Sequence, residues 1–387
     1  LHVRSRRQRQ MCIRDSSKNT RRPRVLHFVT GGFSGATQVA LDLVEAHLAS
    51  GRFEPLLVLR RKRQTPQDRV DALRARGVPL HVVPGWSHAA TLWELVRLCR
   101  RFRPDILVAH GFSDHIWGRL AGLLAGVPHL VHVEHNSRER YTRWRLAQSR
   151  WLAARTDLIV GCSEGVRSAL LDRGFPADRT VAIPNGIRLE RFDPADRHPW
   201  AERRQAAVMA ARFARQKDHA TLLHAVALLK QRGIHLPVTF AGGGKSSHRE
   251  AAMALARSLD LEDRVTFLGH CPDVPGLLMD HRICVLSTHY EGMPLSLVEG
   301  MAAGCMPVAS DVVGVRELIS PGLDGDLVPK SSPQALADSL QRIVEHPEAA
   351  ARAAQQARRH ALERHGLPLM TQRYEDAFER LLHPAAR

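Results

Sequence analysis

The sequence is poor in cysteine and tyrosine and has no long apolar run. Among its 387 residues are six cysteines and three tyrosines. The cysteines form no C-x-x-C pair and no cysteine–histidine spacing of a zinc site, so we expect reduced, mostly buried thiols. No stretch approaches about 18 uninterrupted apolar residues, so no membrane-spanning helix is expected. The basic beginning is not followed by the apolar segment of a signal peptide, which favours a cytoplasmic protein.

The composition is otherwise that of a globular protein, with 44% hydrophobic and 25% charged residues. The chain is too long for one ordinary core, so two domains are expected. Its net charge of +17 is uneven, because residues 1–24 hold nine Lys or Arg and one acid. The run Arg7–Ser16 resembles translated sequencing-adaptor sequence, and we interpret residues 1–21 as a disordered, artefactual extension. A nucleic-acid-binding arm is the other interpretation.

The remaining positive charge is compatible with two interpretations. It fits a protein that meets anionic lipid headgroups or phosphorylated substrates, at the inner face of a membrane. It also fits an arginine-rich composition without a specific partner. The segment 141–154 predicts a basic helix with Trp144 and Trp151, which could lie on a membrane, line an acceptor cleft or pack its aromatic rings inward.

Strands and helices alternate through the first half of the chain. Arg24–Thr30 predicts a strand, Gly31, Gly32 and Gly35 lie in the following turn, and Ala36–Ser50 predicts a helix. Such a turn can bind phosphate at the helix N-terminus, although its glycines do not fit G-x-G-x-x-G. Regular alternation predicts a parallel sheet with helices on both faces. His110 and His135 each follow a strand, at the edge of the sheet where ligands bind.

The second half repeats this pattern and adds charged groups at strand ends. Arg212 and Lys217 lie between a strand and a helix, where two cations are well placed for a diphosphate. Gly242 and Gly243 follow the next strand. Glu291 lies on a loop after a buried strand, and Glu299 lies in the next helix. Two carboxylates at this edge can accept hydrogen bonds from the hydroxyls of sugars.

The stretch Ser287–Ser310 resembles the E-x7-E region of glycosyltransferase family 4, retaining enzymes of GT-B fold. The segment Arg212–Lys217 resembles the diphosphate clamp of that family, and Pro184-Asn185-Gly186 resembles its hinge. The resemblance implies an α/β architecture of two Rossmann-like domains that face across a cleft. The implied domains are an acceptor-side domain at 22–198, a nucleotide-sugar domain at 199–365 and a helix at 366–387 that returns to the first domain.

The resemblance also implies roles for individual residues. His135, Arg212, Lys217 and Glu291 would act at the reaction centre, and Glu299 would bind the ribose of the nucleotide. The donor site would comprise these residues: Gly31, Gly32, Arg212, Lys217, Gly242, Gly243, Glu291, Gly292, Met293, Pro294, Leu295 and Glu299. The Asp324-Gly-Asp326 sequence matches the metal motif of other glycosyltransferases, but Asp-Gly is turn chemistry. We expect no metal and no cofactor besides the nucleotide-sugar co-substrate.

The implied reaction is the transfer of a sugar, with retention, from a nucleotide-diphosphate sugar to a hydroxyl of a saccharide or lipid-linked acceptor in cell-envelope synthesis. A nucleotide-sugar epimerase of GT-B fold is the alternative, and a basic nucleic-acid-binding protein is a weaker one. A dehydrogenase is disfavoured, because Arg60-Arg61 follows the second strand in place of the acid that binds the NAD ribose. An NADP site, which could use such an arginine, stays open. The sequence names neither the sugar nor the base.

Overall fold

The computed structural model describes residues 21–63, 65–111, 114–137 and 142–383, with the side chain of residue 197 excepted. The predicted extension 1–21 therefore lies outside the described residues except for Arg21, and so does Tyr141 of the predicted basic helix. Within the described ranges no helix is both long and apolar enough to cross a bilayer.

The first domain is built on a parallel sheet of seven strands in the order β3-β2-β1-β4-β5-β6-β7. Its strands are rich in β-branched and leucine residues, as strands buried on both faces must be. The elements in chain order are β1 (Arg24–Thr30), α1 (Gly35–Ser50), β2 (Glu54–Arg60), α2 (Gln67–Ala75), β3 (Leu80–Val83), α3 (His88–Phe102), β4 (Ile106–His110), α4 (Asp114–Ala125), β5 (His129–Glu134), α5 (Arg143–Ala153), β6 (Leu158–Gly161), α6 (Glu164–Asp172) and β7 (Thr180–Ala182).

The second domain has a parallel sheet of six strands in the order β10-β9-β8-β11-β12-β13. Its elements are β8 (Arg204–Ala210), α7 (His219–Gln231), β9 (Val238–Ala241), α8 (Ser246–Ser258), β10 (Val265–Gly269), α9 (Val274–Met279), β11 (His281–Leu286), α10 (Leu295–Ala302), β12 (Met306–Ser310), β13 (Asp326–Val328), α11 (Pro333–Glu345), α12 (Pro347–Arg364) and α13 (Leu367–Leu382). The predicted fold class, two Rossmann-like domains, is confirmed.

Three local expectations differ from the structure. The helix α8 is absent from the sequence interpretation, because its buried face consists only of Ala252 and Ala256, which give a weak apolar period. The sequence of residues 333–382 predicts helix throughout, but the structure breaks it at His346 and at residues 365–366, each just before a proline-led helix start. The sequence of residues 312–319 predicts a glycine-containing loop and a helix start, but these residues form turns and contain no helix.

Helix α13 packs on the first domain although it follows the second in the chain. Its buried residues Met370, Tyr374 and Phe378 share an apolar cluster with Val25 of β1 and Val108 of β4. At its outer edge, Glu375 accepts a hydrogen bond from Arg52 at 2.6 Å. The last helix therefore joins the two domains at the side of the first sheet.

Candidate active site

A cavity of about 520 Å³ lies between the carboxyl ends of the two sheets. The first domain contributes residues at the ends of β1, β2, β4 and β5, and the second contributes the loop after β8 and the loop between β11 and α10. The described residues that line it are Thr30, Phe33–Ala36, Lys62, His110, Gly111, Asp114, Glu134–Asn136, Asn185, Ala210–Arg212, Gln216, Lys217 and Glu291–Ser296. Ligands of open α/β folds bind at such strand ends.

The loop that carries Glu291 is fastened to the first domain. Ser163 Oγ donates to the carbonyl oxygen of Gly292 at 2.8 Å, and Ser137 Oγ donates to that of Glu291. A Cβ atom at Gly292 would lie 2.1 Å from the carbonyl oxygen of His135, so only glycine permits this approach. These contacts place the Glu291 loop directly opposite His135.

Lys217 and Glu291 form a partly buried ion pair at the centre of the cavity. Lys217 Nζ lies 2.6 Å from Glu291 Oε1, and the two side chains are 13% and 7% exposed. Thr288 Oγ1 donates to the same carboxylate oxygen at 2.8 Å. The pair therefore holds an ammonium group beside an oriented carboxylate, in a site where charges interact more strongly than in water.

Arg212 and the start of α10 add further positive potential. Arg212 lines the cavity from the loop after β8, and its side chain is exposed. Helix α10 begins at Leu295, which also lines the cavity, and Pro294 provides no side-chain cap. The first N–H groups of a helix have no acceptor inside it and carry the positive end of its dipole. The arrangement suits the oxygens of a diphosphate.

His135 approaches the cavity from the first domain. Its Nε2 lies 3.1 Å from Nδ1 of His110, which is itself buried at the end of β4. Burial lowers the pKa of His135 to about 4, so the imidazole is neutral at physiological pH. Glu134 does not orient the ring, since its Oε1 accepts the backbone N–H groups of His135 and Asn136 at 2.9 and 3.1 Å.

Glu299 lies in the second turn of α10 and is not among the described residues that line the cavity. It is half-buried, and in the described part of the chain no hydrogen bond or ion pair reaches its carboxylate. Burial raises its pKa to about 7, although nearby Arg191 acts in the opposite direction. The carboxylate is thus poorly solvated and without a partner, which favours a group able to donate hydrogen bonds.

The predicted glycines Gly31, Gly32, Gly242 and Gly243 lie in the loops after β1 and β9. The N–H of Gly31 donates to the carbonyl oxygen of Arg60 at 2.8 Å, and Gly32 is exposed. Gly242 has φ of 151°, and a Cβ there would lie 2.2 Å from the carbonyl oxygen of Ala211. The carbonyl oxygen of Gly243 accepts the N–H of Phe213 at 2.7 Å. None of the four is among the described cavity-lining residues.

Sequence interpretation missed Lys62 and Asp114. Lys62 follows β2, and its Nζ lies 3.8 Å from Asp114 Oδ1. Arg60 Nη1 lies 2.7 Å from the same oxygen, in a buried pair. The signal was present, because Lys62 follows a strand just as His110 and Arg212 do.

Among the described residues, one group of side chains could hold a metal ion. It consists of His115, His132 and Glu134, whose candidate ligand atoms lie within 4.8 Å of one another. They are fully buried, and Arg119 Nη2 lies 2.7 Å from His115 Nδ1. The positive charge of Arg119 disfavours a second positive charge at this place.

The two aspartates of the D-x-D sequence have structural partners. Asp324 Oδ2 lies 2.9 Å from His360 Nδ1, and Asp326 accepts from Ser339 at 2.6 Å.

Curated relatives of the chain are similar over much of its length. It is 31% identical to EpsD of Bacillus subtilis over 225 residues, which are 55% of this chain and 58% of EpsD. It is 25% identical to the UDP-Gal:alpha-D-GlcNAc-diphosphoundecaprenol alpha-1,3-galactosyltransferase of Escherichia coli over 331 residues, 81% of this chain and 85% of that enzyme.

The fold of the chain is shared with a solved structure. HepE of Anabaena, solved in complex with UDP-glucose, superposes with a TM-score of 0.80 at 20% identity, over 92% of this chain and 99% of that one.

Two family models divide the chain between them. The model described as Glycosyltransferase Family 4 matches residues 33–191, and the model described as Glycosyl transferases group 1 matches residues 192–360. Their junction lies between the two sheets, at the 3-10 turns that connect β7 to β8. The chain belongs to the glycosyltransferases that combine a family 4 N-terminal domain with a group 1 C-terminal domain.

Proposed function

We propose that this glycosyltransferase transfers a sugar, with retention of configuration, from a UDP-sugar to a hydroxyl group of a saccharide or lipid-linked saccharide. The observation that carries the proposal is the cavity between the domains, where Lys217, Arg212 and the start of α10 face His135. The cluster of positive groups suits a leaving diphosphate. The neutral imidazole opposite it suits the sugar. The UDP-sugar is suggested by the Escherichia coli relative and by the HepE complex.

In the proposed reaction the bond between the anomeric carbon and the UDP oxygen breaks, and the acceptor oxygen bonds to the same face of that carbon. The acceptor proton passes to a phosphate oxygen of the departing UDP. Each described acid that lines the cavity already has a partner: Asp114 pairs with Arg60, Glu134 accepts backbone N–H groups, and Glu291 pairs with Lys217. This supports transfer without a covalent glycosyl-enzyme, in contrast to two-carboxylate retaining hydrolases.

The first test is calorimetric titration with UDP, GDP, ADP, NADP and NAD. We expect binding of UDP alone, or much more tightly than the others. Tight binding of a dinucleotide only would overturn the assignment of the site. Analysis of products from UDP-glucose and UDP-galactose then separates transfer from its alternative, because an epimerase would convert the donor with no acceptor glycosylated. The anomeric configuration of the product tests retention.

Glu299 is expected to make nucleotide affinity depend on pH. We propose that its carboxylate accepts hydrogen bonds from the ribose, which requires the ionised form. Since its pKa is about 7, UDP binding should strengthen by up to about tenfold per pH unit from about pH 6 to about pH 7 and level off above. UDP affinity is measured for wild type and Glu299→Gln in the same buffers. The variant shows how much of the pH dependence comes from ionisation of UDP itself. The same pH dependence of UDP affinity in both proteins would mean that Glu299 does not bind the ribose.

We further propose that the first domain rests on an anionic membrane. Trp86 and Trp144 are 84% and 73% exposed, and Arg143 and Arg145 of α5 are exposed beside the second. Exposed indole rings flanked by arginine are typical of membrane-surface segments. The lipid-linked acceptor of the Escherichia coli relative is consistent with this placement.

Removing charge from this surface should weaken vesicle binding. The double substitution Arg143→Ser/Arg145→Ser is expected to reduce binding to vesicles that contain phosphatidylglycerol by roughly tenfold or more, since each arginine contributes about 1 kcal/mol. Cosedimentation measures it, with pure phosphatidylcholine vesicles as the neutral reference. Arg257→Ser/Arg352→Ser, which removes equal charge from exposed positions of the second domain, is the matched control. Equal binding by both double variants would contradict the proposal.

A further inference from the structure

Three histidines on neighbouring strands share one face of the first sheet. In the parallel register His27 of β1 lies opposite Val108 of β4, and His110 lies opposite Val133 of β5. His110 is two residues beyond Val108, and His135 is two residues beyond Val133. Because strand side chains alternate between faces, all three histidines point to the same side. From His27 to His110, and from His110 to His135, the position moves about 6.6 Å along the strand direction. An imidazole ring can reach across such a distance to its neighbour.

The three rings form a continuous hydrogen-bonded chain that starts at the cavity. His135 Nε2 lies 3.1 Å from His110 Nδ1, and His110 Nε2 lies 3.1 Å from His27 Nδ1. Successive ring centroids are 5.4 Å apart. His110 and His27 are fully buried, and burial holds the pKa of each well below its ordinary value. A neutral imidazole has one N–H, so the proton positions of the three rings are coupled.

The inner end of the chain lies in an apolar pocket beside α1 and α13. His27 Nε2 is buried and, within the described part of the chain, has no hydrogen-bond partner. The ring of His47 lies 5.5 Å away and that of Phe378 lies 6.5 Å away, centroid to centroid. His47 Nδ1 lies 3.2 Å from Glu375 Oε1. Burial disfavours ionised Glu375, but hydrogen bonds from His47 and Ser50 hold its pKa below the ordinary value.

These contacts select between two proton arrangements. His27 Nε2 is buried and has no hydrogen-bond partner among the described residues. A buried N–H group without a partner is rarer, because it is more costly, than an acceptor left unused. The Nε2 atom of His27 is therefore the unprotonated one, and His27 donates through Nδ1 to His110.

We propose that His27 and His110 are positioning residues that fix the tautomer of His135, so that its Nδ1–H points into the cavity and donates to an oxygen of the bound sugar. His27 Nδ1–H donates to His110 Nε2, and His110 Nδ1–H donates to His135 Nε2. That nitrogen is then an acceptor, and the single proton of the neutral His135 ring is on Nδ1. The sugar-binding part of this inference depends on the proposed function, whereas the tautomer depends only on the chain of rings.

The tautomer is tested by nitrogen-15 NMR of histidine-labelled protein at about pH 7.5, where unperturbed histidine is mostly neutral. The signals of His135 are assigned by their loss in His135→Ala. We expect wild-type His135 to be protonated at Nδ1, and His27→Leu to change the proportion of the two His135 tautomers. His27→Asn, whose amide can replace the Nδ1–H donor, should restore the wild-type signals. His135 protonated at Nε2, or unchanged by His27→Leu, would overturn the proposal without reference to activity.

The role in catalysis is tested by the rate of UDP release from UDP-glucose. His27→Leu should lower the turnover number on the order of tenfold, the effect of one net hydrogen bond, with unchanged affinity for UDP. In a His135→Ala background the same substitution should cause no further loss, because it acts only through that ring. His281→Leu, which removes a buried histidine of the second domain with two hydrogen bonds, is the structural control. Equal losses from His27→Leu in both backgrounds would refute the positioning role. No UDP release by wild type would instead refute the proposed function.

Discussion

Replacing Lys217 with alanine is expected to lower turnover by about a hundredfold or more, while the affinity for UDP falls much less. The reason is that Lys217 lines the cavity in which, in the proposed reaction, negative charge develops on the departing diphosphate. A preorganised cation in such a site stabilises the transition state more than the ground state. The measurement is steady-state release of UDP from UDP-glucose, with calorimetry of UDP binding on the same samples.

The control for this substitution has to account for the carboxylate that it leaves behind. Glu291 would lose its partner inside the protein, at a cost of about 3–5 kcal/mol in the free energy of unfolding. The double substitution Lys217→Ala/Glu291→Gln removes that charge and should recover much of the thermal stability, but not the turnover. Lys330→Ala, at an exposed position in the same domain, should leave both unchanged. Near-normal turnover in a folded Lys217→Ala variant would exclude the role in leaving-group stabilisation.

Replacing His135 with alanine is expected to reduce transfer about a hundredfold and to leave UDP binding within about twofold of wild type. Transfer and UDP binding should respond differently because the residues concerned lie on different domains. His135 reaches the cavity from the end of β5, whereas the groups suited to the diphosphate belong to the second domain. Because burial keeps this imidazole neutral, its loss removes a directed hydrogen bond and not a charge.

Transfer rates and UDP affinity are measured side by side for His135→Ala and for a surface control, His81→Ala, whose side chain is 41% exposed on the same domain. A parallel loss of binding and transfer would mean that His135 contributes to the nucleotide site and not to the reaction centre. An unchanged transfer rate would remove it from the site altogether.

The order of strands and helices could be predicted from the sequence with small errors at the ends. The predicted first strand Arg24–Thr30 is β1, and the buried strand predicted before Glu291 is β11. Helix α8 is not predicted because an alanine-lined face gives little hydrophobic contrast, and the tail pattern is continuous because its breaks are only one and two residues long. Local sequence patterns give little indication of an alanine-lined helix or of a short break between helices, because packing against the rest of the domain determines both.

The candidate site could be predicted only as separate pieces. His110, His135, Arg212 and Glu291 each follow a strand, so their place at the edge of the sheets follows from chain order. Their partners do not follow from it. The ion pair of Glu291 with Lys217 joins positions 74 residues apart, and the fastening of Gly292 by Ser163 joins positions 129 apart. Lys62 shows the same limit, since chain order places it at the edge of the first sheet but does not give its contact with Asp114.

The sequence by itself determined the two alternating α/β halves and the polar residues at their strand ends, because hydrophobic period and strand-end chemistry are local properties. The tertiary structure decided what those residues contact. The diagonal register of β1, β4 and β5 joins His27, His110 and His135 into one chain of rings, and the approach of two domains surrounds the Lys217–Glu291 pair. Distances between strands and between domains depend on the packing of the whole molecule, and no local pattern records them.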